Sequence, residues 1–220
     1  MRADYSDQTA IFDPDAFGWP VHIIGLGGIG GALVFPLLKL GIKELHVWDN
    51  DEVEPRNIPA QLVYRLSDIG TSKADAVCEF AKRQEVECIV TPHNEFVTSE
   101  TQLEGVVISG VDKMTQRSNI WTAVQSNPAF VPLYLDGRIG GEQFQLLSVR
   151  PADFNECEMY EKWLFPDEEA ADLPCAARTV IHPPTVLAGL MVAQLTLFYR
   201  KETIKTNICC HLKTMQFQAT

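Results

Sequence analysis

Short apolar segments alternate with amphipathic ones along most of this chain. Continuous apolar runs of about five residues are typical of strands that a parallel sheet buries on both faces. Such runs predict strands at residues 21–25, 44–48, 86–90, 105–109, 131–135 and 143–149. Apolar and amphipathic segments of greater length predict helices at residues 29–40, 71–83, 115–125 and 185–199. Because strands alternate with helices, we predict an α/β fold with a mostly parallel sheet and helices on both faces.

Three stretches do not follow this alternation. Residues 150–176 are rich in Asp, Glu and Pro, and we interpret them as a long crossover loop over the surface before the last core helix. Residues 1–19 are expected to form an N-terminal arm, and residues 207–220 a tail with one or two edge strands. A length of 220 residues suits one α/β unit, so we expect a single domain over residues 1–220.

Composition narrows the class of protein. Hydrophobic residues make up 46 % of the chain, enough for a sizeable core. The net charge of −11 argues against a general nucleic-acid binder, which needs clustered Lys and Arg. Six cysteines without secreted-type spacing and a polar N-terminus without an apolar signal segment indicate a cytoplasmic protein with free thiols. The longest apolar run, residues 185–199, is short for a membrane span and is interpreted as a buried core helix.

A glycine-rich turn follows the first predicted strand. Residues 25–30 read GLGGIG and fit G-x-G-x-x-G between a strand and a helix, which is the context that the motif requires. Glycines allow a tight turn and a close approach of phosphate to the backbone at the helix N-terminus. Asp49, at the end of the next strand, suits a ribose hydroxyl. The pattern predicts a Rossmann-like nucleotide site, the alternative being a tight turn without a ligand.

Three later motifs stand in a fixed order after this turn. Residues 49–61 read DNDEVEPRNIPAQ, residues 68–74 read DIGTSKA, and Gly110-Val111-Asp112 is followed five residues later by Arg117. This order resembles the ThiF/MoeB/HesA family, the bacterial relatives of ubiquitin-activating enzymes, whose usual patterns are D-x-D-x-V-x-x-S-N-L-x-R-Q, D-x-G-x-x-K-A and D-x-x-D-N-x-x-x-R. The LFP and PCA segments at residues 164–166 and 174–176 also resemble the family, so the similarity extends over about residues 21–199.

The resemblance implies roles for individual residues. Asp49 would bind the ribose, Asn57 and Lys73 the phosphates, and Asp112 a Mg²⁺ ion between the phosphates. A cation and a carboxylate-held Mg²⁺ are suited to the negative charge that develops at the α-phosphate. Nucleotide contacts are expected from Gly25, Gly27, Gly28, Gly30, Asp49, Asp51, Asn57, Gln61 and Lys73. Candidate catalytic residues are Lys73, Asp112, Arg117, Arg56 and Cys175.

Each of these polar residues also has an ordinary structural explanation. Lys73 could be a solvated lysine at the start of a helix, although a helix N-terminus disfavours a cation. Asp112 could cap the helix that follows it. Asn57 could form an Asx-turn. Cys175, a candidate reactive thiol close to Arg178, could be a half-buried structural cysteine.

The chain also departs from the family pattern. Ala60 stands where the family has an arginine, and Asp7 stands at the position of an arginine that the N-terminal segment donates across the family's dimer. Lys113 replaces the asparagine after the magnesium aspartate. Substitutes for the missing arginines could be Arg56, Arg65, Arg117 or Arg138. These changes leave open a weak or repurposed active site.

The family's structural zinc is not expected here. It is commonly held by two C-x-x-C pairs, and this chain has no C-x-x-C. Tyr160 and Trp163 occupy the positions of the first pair, and the adjacent Cys209 and Cys210 have poor chelate geometry.

Together, these observations predict ATP- and Mg²⁺-dependent adenylation of the C-terminal carboxylate of a ubiquitin-like or sulfur-carrier-like protein or peptide. One alternative is a catalytically weak ThiF-like subunit that only binds such a partner. Another is a NAD-dependent oxidoreductase, for which little chain remains to supply a substrate domain. Family resemblance also implies a homodimer, and we expect neither nucleic acid nor membrane as a partner.

Overall fold

The computed structural model describes residues 3–169 and 180–220. Within them, eight strands form one sheet in the order β3-β2-β1-β4-β5-β6-β7-β8. The strands are β1 Val21–Ile24, β2 Glu44–Trp48, β3 Ile89–His93, β4 Val106–Ser109, β5 Leu133–Gly140, β6 Gln143–Val149, β7 Asn207–His211 and β8 Gln216–Ala219. The helices are α1 Gly28–Leu40, α2 Lys73–Lys82, α3 Met114–Ser126, α4 Phe154–Glu161 and α5 His182–Tyr199.

The sheet is parallel from β3 to β5 and antiparallel from β5 to β8. Helices α1, α2 and α5 cover one face, where α1 and α5 pack against each other over the strands. Helices α3 and α4 cover the other face, around the buried Trp121, Tyr134 and Tyr160. The prediction of a mostly parallel sheet with helices on both faces is therefore confirmed.

The chain reverses its direction of winding between β1 and β4. From β1 it passes through α1 to β2 and through α2 to β3, and it then returns to place β4 on the other side of β1. The carboxyl end of β1 leads into α1 on one face, and that of β4 leads into α3 on the opposite face. Open α/β sheets bind their ligands in the crevice at such a switch point. The segments that follow β1, β2 and β4 therefore position the candidate site.

Two strands differ from the predicted bounds by more than one residue. Strand β3 begins three residues later than expected because Glu85 has a positive φ of 52° and the chain is still turning at Cys88. Pro92 lies inside β3, which is tolerated because β3 is an edge strand. Strand β5 continues past Leu135 to Gly140, where it forms a hairpin with β6. Its second half, DGRIG, carries too few apolar residues for the hydrophobic pattern to indicate a strand.

The segment expected to be an irregular surface loop contains a helix. Residues 154–161 form α4, which Asp153 caps by accepting hydrogen bonds from the backbone N–H groups of residues 155 and 156 at 3.0 and 3.3 Å. Cys157 and Tyr160 are buried against the sheet. Two buried residues three positions apart are too few to show a helical period, so the pattern does not reveal α4. Residues 170–176 lie outside the described part of the chain.

The predictions for the last helix and for the C-terminal tail agree better with the structure. Helix α5 begins at His182, three residues before the predicted start, and prolines at its first turn suit a helix N-terminus. The tail forms two strands, of which β8 is an edge strand and β7 lies between β6 and β8. No helix among the described residues is long and apolar enough to cross a membrane.

Three imidazoles lie side by side on strands β1 to β3. His22 stacks on His46 with ring centroids 4.6 Å apart, and His46 stacks on His93 at 5.4 Å. The indole N–H of Trp48 donates to Nδ1 of His22 at 3.1 Å. Burial and, to a smaller extent, the neighbouring His46 and His93 lower the pKa of His22 to about 3. His22 therefore stays neutral in the folded protein under mildly acidic conditions.

We expect His22 to make the protein less stable in mild acid. An unfolded His22, with a pKa of 6.5, binds a proton below that pH, whereas the folded one remains neutral until about pH 3. The free energy of unfolding should therefore decrease as the pH falls from 6.5, by about 2 kcal/mol at pH 5 from this residue alone. Urea unfolding of the wild type and of His22→Gln at pH 7 and pH 5 measures the difference. Equal pH dependence in the two proteins would contradict the assignment.

Candidate active site

The glycine turn links β1 to α1 through backbone geometry that only glycine supplies. Gly25 has a φ of +87°, and its N–H donates to the carbonyl of Trp48 at 2.8 Å. A Cβ on Gly30 would lie 1.9 Å from the carbonyl oxygen of Gly25, so the turn closes directly onto α1. Among the described residues, a Cβ on Gly27 would meet no atom within 4 Å, and Gly27, the N-cap of α1, makes no side-chain cap bond. The turn therefore presents the N-terminus of α1 to open space, as an anion site requires.

Asp49 supports the glycine turn from the end of β2. Its Oδ2 accepts the N–H of Leu26 at 2.7 Å, and its Oδ1 accepts the N–H of Asp51 at 2.9 Å. Burial raises the pKa of Asp49, while Lys73 and these two N–H groups act in the opposite direction. Asp49 is thus a structural support of the turn in the described structure, and a ribose contact would use its remaining lone pairs.

Lys73 is a buried cation at the same edge of the sheet. Its Nζ lies 2.8 Å from Oδ2 of Asp51 and 3.8 Å from Oδ1 of Asp49, and 8 % of its side chain is exposed. Its backbone N–H donates to the carbonyl of Asp51 at 2.9 Å, which fixes the start of α2 beside this loop. The interpretation of Lys73 as a solvated lysine is therefore wrong. The two carboxylates offset the cost of burying its charge.

Asn57 and Gln61 lie in the segment that folds back from β2 to α2. Oδ1 of Asn57 accepts the N–H of Glu54 at 2.8 Å, and the carbonyl of Asn57 accepts the N–H of Gln61 at 2.9 Å. This contact reaches back three residues and forms a capping box with Glu54. It is not the Asx-turn expected for Asn57, because that turn needs the N–H of residue 59, which is a proline. The side chain of Gln61 is buried, and its Oε1 has no hydrogen-bond partner among the described residues. Arg56 is 80 % exposed and pairs with Glu54. It therefore does not belong to the cluster formed by Lys73, Asp49 and Asp51.

Tyr64 is a site residue that the sequence does not reveal. Its hydroxyl donates to the carbonyl of Leu26 at 2.8 Å in a buried position. Asp49 binds the N–H of the same residue, so the backbone of Leu26 is held on both sides. No local motif distinguishes Tyr64 from other tyrosines, because its role depends on a contact 38 residues away in the chain.

The segment after β4 packs directly against the glycine turn. The N–H of Gly110 donates to the carbonyl of Ile24 at 2.9 Å, and a Cβ on Gly25 would lie 3.0 Å from Cγ1 of Val111. Asp112 follows immediately and is exposed. Within the described residues, its carboxylate forms no hydrogen bond or ion pair. This placement brings Asp112 to the crevice that the glycine turn lines.

Asp112 does not cap the helix that follows it. The N-cap of α3 is Lys113, which makes no side-chain cap bond. Asp167 supplies the cap from a distant segment, because it accepts the N–H groups of Met114 at 2.6 Å and Thr115 at 3.3 Å. The interpretation of Asp112 as an N-cap is therefore wrong, and its carboxylate is available to a cation.

Arg117 points into the protein. Its Nε donates to Oδ1 of Asp136 at 3.1 Å, and its terminal nitrogens donate to the carbonyls of Val111, Asp112 and Gly137. Only 6 % of its side chain is exposed. These partners use the hydrogen-bond donors of the guanidinium. Arg117 thereby holds the segment after β4 in place.

Arg138 is held in the same way. It forms an ion pair with Asp136 at 2.8 Å and donates to the carbonyl of Trp163 at 2.7 Å.

The described cysteines Cys78, Cys88, Cys157 and Cys209 form their hydrogen bonds outside the glycine turn. Cys157 is buried, and burial raises the pKa of its thiol. Cys175 and Arg178 lie outside the described residues, so the reactivity of Cys175 stays a prediction. In the described ranges, no cluster of three or more His, Cys, Asp or Glu side chains is suited to a metal ion. The expectation of a zinc-free protein is also still a prediction, to be checked by metal analysis.

Comparison with known proteins defines the class. The family model described as "ThiF family" matches residues 18–218, so the chain belongs to the ThiF family. The resemblance seen in the motifs is thereby confirmed.

Curated relatives match the chain over part of their length. The Nedd8-activating enzyme E1 catalytic subunit of Drosophila melanogaster is 38 % identical over 101 residues, which are 44 % of this chain and 22 % of that protein. The SAMP-activating enzyme E1 of Haloferax volcanii is 31 % identical over 99 residues, 45 % of this chain and 36 % of that protein. The chain thus spans well under half the length of these relatives.

Solved structures share the fold over most of the chain. PaaA superposes with a TM-score of 0.71 and 15 % identity, covering 99 % of this chain and 84 % of PaaA. Escherichia coli MccB, solved with AMPCPP and MccA, superposes with a TM-score of 0.71 and 16 % identity. This match covers 92 % of this chain and 63 % of MccB. At these identities the similarity establishes a common Rossmann-type architecture.

Proposed function

We propose that this protein uses ATP and Mg²⁺ to adenylate the C-terminal carboxylate of a ubiquitin-like protein or peptide. The observation that carries the proposal is the placement of three groups beyond the carboxyl ends of the neighbouring strands β1, β2 and β4. These groups are the glycine turn, the buried Lys73 and the exposed carboxylate of Asp112. Membership of the ThiF family, with relatives named as activating enzymes, supports the same chemistry.

The residues present fit a nucleotide and its metal ion. Open space beside Gly27 leaves room for phosphate at the N-terminus of α1. Asp112 would hold Mg²⁺, which prefers one or two carboxylates together with phosphate oxygens and water. When bound, Mg²⁺ would neutralise charge on the phosphates. Lys73 lies beside Asp49 and Asp51, next to the end of β2, and its ammonium would move toward the α-phosphate.

The proposed reaction is a displacement at phosphorus. A carboxylate oxygen of the partner forms a bond to the α-phosphorus of ATP, and the bond from that phosphorus to the bridging oxygen breaks. Pyrophosphate leaves with the electron pair, and the products are an acyl-adenylate and pyrophosphate. The protein supplies orientation and charge stabilisation, since no proton transfer is required in this step.

The partner's tail would reach the site across the carboxyl ends of the strands. Two observations on similar proteins support a partner of this kind. Two relatives are named as activating enzymes for Nedd8 and SAMP, and MccB was solved with MccA. The segment after β6, which contains α4, would border the tail because Asp167 fixes it to the start of α3 beside Asp112. A homodimer is part of this proposal, since a second copy could supply a missing arginine.

A binding subunit without full activity is the second candidate. It is favoured by the positions of three of the four arginines named as substitutes for those absent at Ala60 and Asp7. Arg117 and Arg138 are committed to Asp136, and Arg56 is in solvent beside Glu54. Loss of one such donor lowers rates by about 10²–10³-fold in comparable sites, so a slow enzyme is the expected consequence.

Isotope exchange between pyrophosphate and ATP tests the reaction. The probe is a synthetic peptide that ends in Gly-Gly with a free carboxylate, and the matched control is the same peptide as a C-terminal amide. We expect exchange with the acid and none with the amide. Calorimetry with ATP and MgCl₂ on the wild type and Asp112→Ala accompanies it, and weaker binding is expected for the variant. ATP binding without exchange, despite peptide binding, would instead favour the binding subunit.

A further inference from the structure

A fully buried carboxylate lies between the two internal arginines. Asp136, on β5, has no exposed surface, and its Oδ1 accepts Nε of Arg117 at 3.1 Å. Its Oδ2 accepts Nε of Arg138 at 2.9 Å and the hydroxyl of Tyr160 at 3.1 Å. A buried aspartate in the middle of a sheet is costly unless it is paired, and here two cations and a hydroxyl partner it.

On one side of this cluster, Arg117 forms hydrogen bonds to the backbone of the segment that carries Asp112. The guanidinium donates to the carbonyl of Val111, to the carbonyl of Asp112 at 3.3 Å and to the carbonyl of Gly137 at 3.2 Å. Because a guanidinium is planar and rigid, the contact of Nε with Asp136 fixes where the other nitrogens point. Asp136 therefore sets the position of the backbone from which the Asp112 carboxylate projects.

The Arg138 side of the cluster holds a different part of the molecule. Arg138 donates to the carbonyl of Trp163 at 2.7 Å, and Tyr160 belongs to α4. The hydroxyl of Tyr160 also lies 3.1 Å from that of Tyr134. The hydrogen bonds on this side stabilise α4 on the sheet, and among the described residues none of them involves the backbone of the segment after β4. The two oxygens of Asp136 thus serve separate structures, which allows their roles to be tested separately.

We propose that Asp136 is a positioning residue for the Mg²⁺ site. Through Arg117, Asp136 fixes the backbone of Val111 and Asp112 against the glycine turn. The Asp112 carboxylate is thereby held in a position from which it can bind the metal ion. This inference rests on the proposed function, because it requires ATP to be bound with Mg²⁺ at Asp112. Residues that orient metal ligands from behind commonly change metal affinity by about 10- to 100-fold when they are replaced.

Magnesium titration of ATP binding separates positioning from general stability. We expect Asp136→Asn to raise the MgCl₂ concentration for half-maximal enhancement of ATP binding by about tenfold. Its affinity for ATP in EDTA should remain close to that of the wild type, because the glycine turn and Lys73 are untouched. Tyr160→Phe is the matched control, since it removes a bond to Oδ2 of Asp136 and leaves Arg117 in place. Its magnesium requirement should equal that of the wild type.

Arg117→Lys provides a second route to the same readout. Lysine keeps the charge beside Asp136 but cannot bridge the carboxylate and three carbonyls at once, so the magnesium requirement should rise as well. This variant carries the test if Asp136→Asn does not fold, which thermal unfolding will show. A wild-type magnesium response in every folded variant would overturn the inference. A wild type that binds ATP without any effect of Mg²⁺ would instead overturn the proposed metal site itself.

Discussion

Replacement of Lys73 with alanine should lower the rate of adenylation by about a hundredfold or more. The ammonium is buried between Asp49 and Asp51 at the crevice, and it is the cation that the described structure places beside the glycine turn. Removal of one preorganised donor from a developing oxyanion costs about 10²–10³-fold in rate. The loss also leaves two carboxylates facing the phosphates, which adds repulsion in the ground state. Pyrophosphate–ATP exchange under saturating ATP measures the rate directly.

The control for this prediction lies on the same helix. Lys82, at the end of α2, is 71 % exposed and pairs with Glu79, so Lys82→Ala removes the same charge from the same element. We expect its exchange rate to stay within about twofold of the wild type, as surface pairs contribute little. If both variants lose activity equally, or neither does, Lys73 has no special role in the reaction.

Sequence alone predicts the parts of this site that depend on local geometry. The glycine turn, Asp49 and Asp112 follow directly after β1, β2 and β4, and the ends of parallel strands meet at one edge of the sheet. Their convergence therefore follows once the strands are predicted correctly. The burial of Lys73 is less evident, because it depends on the backbone bond from its N–H to the carbonyl of Asp51.

Contacts between distant segments are the part that the sequence does not reveal. Arg117, on helix α3, could face a phosphate or the interior, and its direction is decided by Asp136, which follows 19 residues later on strand β5. Asp167, more than 50 residues away in the chain, caps α3 in place of Asp112. The sequence near α3 therefore does not show which residue caps the helix. The sequence does not reveal helix α4 for a related reason. Its few buried side chains are buried only because the helix packs against the sheet, which is formed by distant segments.

Gly30→Ala should destabilise the fold by about 3 kcal/mol or more. The new Cβ would lie 1.9 Å from the carbonyl oxygen of Gly25 and 3.1 Å from Cγ2 of Ile23. Because the nearest obstacle is backbone, no side-chain rotation relieves the overlap, and α1 must move away from β1. For a chain of this size, that loss corresponds to a decrease of about 6–12 °C in the melting temperature.

Gly27→Ala is the matched variant for this last prediction. It changes a glycine three residues earlier in the same turn, where a Cβ meets nothing within 4 Å and φ is −71°. Its stability should therefore decrease by no more than about 2 kcal/mol, the upper end of the range for alanine at a helix N-cap. Thermal and urea unfolding of both variants give the comparison. Similar stability of Gly30→Ala and Gly27→Ala would show that α1 does not close onto Gly25 as tightly as the 1.9 Å approach requires.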